Sequence, residues 1–386
     1  MTIEAVIGAN YGDEGKGLFT EYLCRNRPNP LVVMSNGGCQ RGHTVNNVEK
    51  GIRHVFNHFG SGSLLRTPTA YSKSFLLNPI KYVEEKHELE KLGISTIALR
   101  APNCLLQLPS DMFINQAIEK ARGFGRHGSC GWGIWETNVR NKEHYRLTFN
   151  DFASFDYAKK KTTYLDCLEW QLENRLRGVY RLAIDENLSY VKNGNFINHF
   201  IQDFEEMEKS IKLLESNRLL EIDWTKYGID VDTMIVENAQ GLLLDKKYAP
   251  LDENGRNDIH TTPSKCGLEG VLEALNSDIN CELALNYISR TYFTRHGNGP
   301  FPEESENLRF EDKTNIFNQY QGNLRFGKMS FDDAIALRER IEKDSDGNLW
   351  KIAFTHCNEI DFVWKSIFSK NVYCSHEDDS RKIALC

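Results

Sequence analysis

A short apolar segment that runs directly into a glycine-rich turn constrains this 386-residue chain more than any other feature. The segment is IEAVIGAN, residues 3–10, and its β-branched residues favour a buried β-strand. The turn YGDEGKG follows, and KGLFTEYLCRNR then carries apolar residues at helical spacing. A strand, a glycine-rich loop and a helix in this order are typical of a phosphate site, because backbone N–H groups at a helix N-terminus bind anions.

The glycines and the lysine of this first loop explain how it would hold a phosphate. Gly12, Gly15 and Gly17 allow a tight turn whose N–H groups point inward, and Lys16 would place a cation over phosphate oxygens. The loop is P-loop-like in kind, but its spacing differs from GxxxxGK[ST], and neither Ser nor Thr follows Lys16.

A second glycine-rich loop, GGCQRGHTV, follows a second short apolar strand, LVVMSN. Both loops lie within about 45 residues, which indicates one shared site at the carboxyl ends of adjacent parallel strands. His43 follows Gly42 in the second loop, where a histidine can donate a proton to an oxygen that loses or gains a phosphoryl group.

Asp13 places a negative charge inside a loop that is expected to bind phosphate, and this arrangement needs a chemical explanation. Asp13 is tolerable beside phosphates if a divalent cation bridges the charges, or if the carboxylate acts as a base on a neighbouring substrate atom. Either reason makes Asp13 a catalytic candidate.

Strands that alternate with helices and end in polar loops predict an α/β fold with a large, mostly parallel sheet flanked by helices. DTMIVENAQG and LWKIAFTHCN look like further buried strands, and NPIKYVEEKHELEKLGI and TYLDCLEWQLENRLRGVYRLA look like amphipathic helices. Residues 1–386 are expected to form a single domain with a helical insertion around 150–230, where strand and glycine-loop pairs are missing.

Composition excludes several classes of protein. The net charge of −7 and a pI near 5.9 disfavour a nucleic-acid binder. The apolar runs are too short for a membrane span and the N-terminus lacks a signal pattern, so we expect no membrane association and a cytoplasmic protein. The ten cysteines show no CxxC or zinc-site spacing, and we expect free thiols.

The loops resemble those of the adenylosuccinate synthetase family. GDEGKG and GGCQRGHT are similar to the family's GDEGKGK and GGxNAGHT, GSCGWGI to GTTGRGIGP, VENAQGLLLD to FEGAQGTLLD, and TRHGNGPFPEE to TRVGAGPFPTE. The matches keep their order from residue 5 to about residue 360 and imply the family's fold. That family joins IMP to L-aspartate with GTP and magnesium, so the resemblance implies a nucleoside-triphosphate-dependent ligase that forms a carbon–nitrogen bond.

The resemblance also implies roles for single residues. Asp13 would remove the N1 proton of a 6-oxopurine and bind Mg²⁺ together with the Gly42 carbonyl, and His43 would be the acid that helps the γ-phosphoryl group leave. The implied nucleotide-binding residues are Gly12, Glu14, Gly15, Lys16, Gly17, Gly42, Thr44 and Asn358. The implied substrate-binding residues are Gln40, Ser129, Cys130, Gln240, Thr262 and Arg325.

Two departures from the family leave the reactants open. The basic loop TTGRRRRTG is reduced to YQGNLRFGKMS, which keeps Arg325 for the carboxylates of the amino donor. The guanine-reading TKLD becomes THCN, and Asn358, an amide, can donate as well as accept, so both ATP and GTP are expected energy donors.

Several alternatives therefore remain. The reduced basic loop and the CN turn look similar to phage 2-aminoadenylosuccinate synthetases that act on dGMP, whereas Asp13, which those enzymes commonly replace, favours an acceptor without a 2-amino group. The other hypotheses are a ligase that uses another amino donor, a non-catalytic nucleotide-binding protein, and a plain nucleoside-triphosphate hydrolase. The family is homodimeric, and Arg140 or Arg146 is the candidate for its interface arginine. Trp132 and Trp135 either reshape the monophosphate pocket or pack beneath it.

Overall fold

The computed structural model describes residues 1–100, 104–144, 146–177, 196–216, 231–275, 281–315, 317–360, 363–368 and 372–386. Within these ranges a central sheet of nine strands has the order β15-β14-β13-β10-β1-β9-β2-β5-β7. All neighbours in the sheet are parallel except β14 and β15. The predicted α/β fold with a mostly parallel sheet is confirmed.

The strands of this sheet are β1 (Thr2–Gly8), β2 (Pro30–Met34), β5 (Thr69–Tyr71), β7 (Ala98–Arg100), β9 (Thr233–Glu237), β10 (Glu282–Arg290), β13 (Trp350–Thr355), β14 (Val372–Cys374) and β15 (Ala384–Leu385). Three two-stranded pairs lie outside it: β3 (His43–Asn47) with β4 (Ile52–Phe56), β6 (Leu76–Leu77) with β8 (Leu105–Leu106), and β11 (Phe293–Arg295) with β12 (Arg325–Gly327).

The α-helices of the described ranges are α1 (Lys16–Asn26), α2 (Pro79–Lys91), α3 (Pro109–Arg122), α4 (Ile134–Glu143), α5 (Phe149–Ser154), α6 (Tyr157–Gln171), α7 (Phe196–Ser216), α8 (Leu268–Leu275) and α9 (Phe331–Ser345). The helices and strands expected from the quoted sequence patterns are confirmed where the structure describes them. The end of the TYLDCLEWQLENRLRGVYRLA segment lies outside the described residues.

Apolar residues on both faces of the sheet explain why its strands read as continuous hydrophobic runs. Val6 of β1 packs into a cluster with helices α1, α2, α3, α6 and α7, whereas Ala5 and Ile7 pack into a second cluster with α8 and α9. The sheet is thus sandwiched between two helical layers.

The carboxyl ends of four neighbouring strands meet at one edge of the sheet. β10, β1, β9 and β2 are adjacent, and the chain leaves them at Arg290, Gly8, Glu237 and Met34. Because the strands are parallel, the loops that follow them all face the same crevice. This topology brings the two glycine-rich loops together.

One expectation about the cysteines was wrong. Cys374 of β14 and Cys386 form a disulfide, with their Cα atoms 6.0 Å apart, and eight other cysteines are free. No spacing in the sequence indicates this pair, because the two residues are brought together by the antiparallel pairing of β14 with β15.

The segment around 150–230 is helical wherever the structure describes it, in α5, α6, α7 and the turn of π-helix Leu172–Leu176. Its status as an insertion into a single domain stays a prediction. None of the described helices is long and apolar enough to cross a membrane.

Candidate active site

A single cavity of about 1000 Å³ lies at the carboxyl edge of the sheet. Its walls include every site residue predicted from the sequence except Arg325: Gly12, Asp13, Glu14, Gly15, Lys16, Gly17, Gln40, Gly42, His43, Thr44, Ser129, Cys130, Gln240, Thr262 and Asn358. The two loops and four more distant segments therefore share one site.

The first loop is organised around a buried carboxylate. Glu14 Oε1 accepts from the backbone N–H of Asn10 (3.1 Å) and of Gly12 (2.9 Å), and Lys16 Nζ donates to Glu14 Oε2 over 2.6 Å. Glu14 and Lys16 are both buried. Glu14 thus stabilises the loop from within, and a triphosphate would have to compete with it for the Lys16 ammonium.

Asp13 occupies a strained position in the same loop. Its φ is 60°, a left-handed conformation that side chains other than glycine seldom adopt, and its side chain is about one fifth exposed. Gln240 (φ 58°) and His356 (φ 57°) share this conformation and also line the cavity. Strained residues of this kind concentrate at functional sites.

Gly17 lets the two loops touch. A Cβ atom built on Gly17 would lie 2.9 Å from the Thr44 carbonyl oxygen and about 3 Å from His43 atoms. Only glycine allows α1 to start directly against β3, so His43 is held next to Lys16 and the first loop.

His43 belongs to a buried trio with Glu237 and Arg41. Its Nδ1 lies 2.6 Å from Glu237 Oε1, and Arg41 Nη2 lies 3.2 Å from the same oxygen. Ser61 donates to the Glu237 carboxylate from its backbone N–H over 3.1 Å and from its hydroxyl. Sequence reasoning quoted VENAQG but did not single out Glu237, which the position at the end of a buried strand could have signalled.

The charges of this trio are set by burial and by Arg41. Burial alone would raise the pKa of the Glu237 carboxyl, but the Arg41 guanidinium and His43 outweigh it and lower that pKa to about 2. Burial and the Arg41 guanidinium lower the pKa of His43 to about 4, against the opposing effect of Glu237. Nδ1 of the His43 ring contacts both Glu237 Oε1, which can only accept, and Arg41 Nη2 at 2.7 Å, which can only donate, and both contacts orient the ring.

Several amide and guanidinium atoms of the cavity wall are buried without a partner. Among the described residues they are both amide atoms of Gln40, Oε1 of Gln240, Nε of Arg41, and Nε and Nη1 of Arg295. Buried polar atoms are normally hydrogen-bonded, so this set indicates that a polar ligand completes the site.

The glycine-rich GSCGWGI segment also faces the cavity. Asn115 Nδ2 donates to Ser129 Oγ over 2.9 Å, and burial raises the pKa of the Cys130 thiol to about 11. Cys130 therefore stays a thiol and is no nucleophile at neutral pH. Trp132 and Trp135 both line the cavity, which favours their role in shaping it.

Thr262 and Asn358 line the cavity from two different loops, which follow β9 and β13. The backbone N–H of Thr262 donates to the Leu244 carbonyl over 2.8 Å, which fixes the long polar loop. Asn358 is exposed in the turn after β13, where His356 Nδ1 lies 3.0 Å from Glu359 Oε1.

Arg325 is not brought to the cavity. Its Nε donates to Glu304 Oε1 over 2.9 Å, and its Nη1 donates to the carbonyls of Gly297 and Gly299. These hydrogen bonds occupy the Arg325 guanidinium. Arg325, the arginine that the sequence keeps from the family's basic loop, therefore stabilises β12 instead of binding a substrate carboxylate.

Arg140 is likewise structural, because its guanidinium is fully buried and forms a bidentate pair with Asp111 at 3.0 and 2.9 Å. It cannot reach a second subunit. Arg146 is exposed.

Four residues of the cavity wall around Asp13 were missed by the sequence analysis. Arg290 Nε donates to the Asp13 carbonyl over 2.6 Å, and its Nη2 lies 3.0 Å from Asp312 Oδ2. His296 Nε2 lies 3.5 Å from Asp13 Oδ2 and 3.0 Å from Asn315 Oδ1. Arg290 lies just before the quoted motif TRHGNGPFPEE and outside it, whereas His296 stands where the family motif TRVGAGPFPTE has valine, a departure that could have drawn attention.

The cavity offers few protein ligands for a metal ion. Among the described residues no group of three His, Cys, Asp or Glu side chains could hold one. Mg²⁺ commonly takes one or two protein oxygens and fills the remaining positions with substrate phosphates and water. The Asp13 carboxylate and the Gly42 carbonyl are hard oxygen donors of the same wall and fit such a site.

Comparison with known proteins agrees with these motifs. A family model described as adenylosuccinate synthetase matches residues 5–329. The chain belongs to the adenylosuccinate synthetase family.

Two bacterial adenylosuccinate synthetases show how far the sequence of this chain has diverged from its relatives. The one from Gloeothece citriformis (strain PCC 7424) is 29% identical over 304 residues, 78% of this chain and 61% of the relative. The one from Nitrosospira multiformis (strain ATCC 25196) is 29% identical over 350 residues, 87% of this chain and 72% of the relative. The chain thus spans roughly three fifths of the first and under three quarters of the second.

Two solved structures of adenylosuccinate synthetase type share the fold. Fully ligated adenylosuccinate synthetase from Plasmodium falciparum gives a TM-score of 0.62 at 16% identity and covers 93% of this chain and 77% of its own. Cyanophage S-2L succinoaminodeoxyadenylate synthetase, bound to dGMP and to dATP as an energy donor, gives 0.62 at 14% identity and covers 100% and 95%.

Proposed function

We propose that this protein is a nucleoside-triphosphate-dependent ligase that phosphorylates the 6-oxygen of a purine nucleotide and replaces it with an amine, with L-aspartate as the donor. The observation that carries the proposal is the meeting of Asp13, Lys16 and His43 in one cavity. A protein that only bound nucleotides would have no use for a base and an acid beside a phosphate loop.

The chemistry requires these groups together. A purine carbonyl oxygen is a poor leaving group, so it is first phosphorylated. Asp13 removes the N1 proton, which makes the 6-oxygen nucleophilic enough to attack the γ-phosphorus. The strained backbone of Asp13 holds the carboxylate at the mouth of the loop that cradles the phosphates.

His43 is the proposed acid on the phosphoryl donor. In the absence of ligand the ring is neutral, because burial and Arg41 lower its pKa to about 4. A bound triphosphate would place several negative charges beside the ring and favour its protonated form. Glu237 then stabilises the imidazolium and keeps the ring oriented.

Mg²⁺ would be held by the Asp13 carboxylate and the Gly42 carbonyl together with phosphate oxygens. It would supply charge neutralisation on the triphosphate.

The amino donor needs a cationic anchor other than Arg325. Arg295 is buried at the cavity wall, and its Nε and Nη1 have no partner among the described residues. A carboxylate of aspartate would accept from one of these two donors, since such charge-assisted hydrogen bonds are the strong ones. We assign Arg295 this role in place of Arg325.

A second acceptor is dGMP, with ATP or dATP as the energy donor, as in the phage enzyme that shares the fold. The exposed Asn358 amide, in place of the family's aspartate, supports an adenine nucleotide as the energy donor. Asp13 supports IMP or dIMP as acceptor, because the phage enzymes that act on dGMP commonly replace this aspartate with a smaller residue.

A substrate panel tests the proposal. The protein is incubated with Mg²⁺, with ATP or GTP, with IMP, dIMP, GMP or dGMP, and with aspartate or other amino acids, and adducts are detected by mass spectrometry. We expect one acceptor and one donor to give a succino-type adduct together with phosphate. Phosphate release that is equal with and without acceptor, and no adduct from any combination, would refute the ligase in favour of a hydrolase.

A homodimer in the cytoplasm completes the proposal. It is supported by the family resemblance. Light scattering of the purified protein tests the dimer.

A further inference from the structure

His296 is the partner that the described residues provide for the Asp13 carboxylate, at 3.5 Å between Nε2 and Oδ2. The position holds valine in the family motif that TRHGNGPFPEE resembles. A polar ring has therefore been placed beside the proposed base of this chain.

The donor and acceptor roles around His296 follow from Asp312. Arg290 Nη2 donates to Asp312 Oδ2 over 3.0 Å. Burial would raise the pKa of Asp312, but Arg290 and the N–H groups of Asn315 lower that pKa well below its usual range. Asp312 is therefore an ionised carboxylate that can only accept.

An ionised Asp312 fixes the orientation of the Asn315 amide. Asn315 Nδ2 donates to Asp312 Oδ2 over 2.9 Å, so its Oδ1 must face His296. Because Oδ1 can only accept, Nε2 of His296 carries a hydrogen along the 3.0 Å contact. That same N–H lies beside Asp13 Oδ2, at a distance that commonly shortens when a substrate binds.

Asp13 is therefore contacted both at its backbone carbonyl oxygen and at its side-chain carboxylate. Arg290 donates to its carbonyl oxygen over 2.6 Å and also anchors Asp312, from which Asn315 and His296 lead back to the Asp13 carboxylate. These five residues form a closed ring through the loop at 312–315. A residue with a φ of 60° in a glycine-rich turn gains a defined side-chain position from such support.

We propose that His296 is a positioning residue for Asp13: its Nε2–H holds Oδ2, leaves Oδ1 for the N1 proton of the acceptor, and is itself fixed by Asn315 and Asp312. The inference rests on the proposed function for its kinetic consequence. The 3.5 Å contact between His296 Nε2 and Asp13 Oδ2 itself does not depend on turnover.

Kinetics of adduct formation test the positioning role. His296→Val should lower kcat about 10- to 100-fold, because a misplaced reacting group costs that much. KM for the nucleoside triphosphate should stay within about twofold, since phosphate binding is untouched. His296→Gln, which keeps an N–H near the Nε2 position, should recover most of the loss, and His87→Val on the exposed face of α2 should have no effect.

Asn315→Ala tests the ring independently of any folding defect in the valine variant. It should lower kcat in the same direction, and the double variant His296→Val/Asn315→Ala should be no slower than His296→Val alone. Unchanged kcat in His296→Val, no advantage of glutamine over valine, or multiplied losses in the double variant would overturn the inference.

A spectroscopic measurement separates this inference from the proposed function. In ¹⁵N-histidine-labelled wild-type protein, with the signal assigned by its loss in His296→Gln, the His296 hydrogen should be found on Nε2. A hydrogen on Nδ1 alone would overturn the inference even if the ligase activity is found. If the wild-type protein forms no adduct from any pair of substrates, the proposed function is refuted. The position of the His296 hydrogen then still tests the contact between His296 and Asp13.

Discussion

Nδ1 of His43 lies 2.6 Å from Oε1 of Glu237, and both side chains are buried. One comes from the second glycine-rich loop and the other from the end of β9. Glu237 Oε1 and Arg41 Nη2 both contact this ring nitrogen, which orients the ring and leaves Nε2 as the nitrogen available to a ligand.

Glu237→Gln removes that carboxylate and leaves Arg41 buried without its counter-charge. We expect kcat for adduct formation to fall on the order of 100-fold or more, as for loss of acid–base assistance. The free energy of unfolding should fall by roughly 3–5 kcal/mol, as when one partner of a buried ion pair is removed. Steady-state kinetics and urea unfolding measure these effects, and Glu88→Gln on the exposed face of α2 is the control. A fully active variant would contradict the role of the pair.

Asp13→Ala should abolish adduct formation while the protein still binds the nucleoside triphosphate, because the phosphate loop keeps its N–H groups and Lys16. Binding is measured by calorimetry and turnover by mass spectrometry. Asp346→Ala is a matched control, since Asp346 also has a positive φ (47°) but ends helix α9 away from the cavity. Retained turnover in Asp13→Ala would refute the assignment of the base.

Gly17→Ala should damage both stability and activity, because the new Cβ would lie 2.9 Å from the Thr44 carbonyl. Overpacking of this kind costs about 1–3 kcal/mol, and the shift would move His43 away from the first loop. Gly125→Ala is the control because a Cβ there meets no atom within 4 Å. Equal melting temperatures of the two variants would contradict the predicted contact.

Asn358→Asp should shift the preference from ATP towards GTP. A carboxylate accepts from both guanine N–H groups, whereas it has no donor for adenine. The ratio of kcat/KM for the two triphosphates measures the shift, with Asn348→Asp at the opposite end of β13 as the control. An unchanged ratio would show that the turn after β13 does not read the base.

The stability of the protein should depend on pH through His58. Burial lowers the pKa of His58 to about 3 in the folded state, against about 6.5 when unfolded. Between these values the unfolded chain binds a proton that the folded chain does not, so stability falls as the pH drops from 6.5 towards 3. The slope from one such group approaches about 1.4 kcal/mol per pH unit.

His58→Gln should flatten this dependence, and His87→Gln on the surface of α2 should leave it unchanged. Urea unfolding at several pH values between 4 and 7 measures both slopes. Parallel curves for His58→Gln and the wild-type protein would contradict the prediction.

Local patterns were sufficient for the elements that carry the first two loops. β1, α1 and β2 followed from apolar runs and glycines that are contiguous in the chain, because local backbone preferences and burial act over a few residues. The same applies to Asp13, Lys16 and His43, whose chemistry is legible from the loops that contain them.

Single side chains far from these loops were harder to place. Arg325 looked like a carboxylate ligand because charge and position in the sequence favoured it, but Glu304 and two carbonyls occupy its guanidinium. Which ion pair a long side chain makes depends on neighbours that the fold supplies, and no pattern in one segment records them.

The sequence by itself determined the α/β class, the glycine-rich loops and the residues proposed as base and acid. The tertiary structure decided how they are supported: Glu237 behind His43, and the ring from Arg290 through Asp312, Asn315 and His296 to Asp13. The physical reason is that Glu237 is 194 residues from His43 and Arg290 is 277 residues from Asp13 in the chain, and these pairs meet only because parallel strands end at the same edge of the sheet.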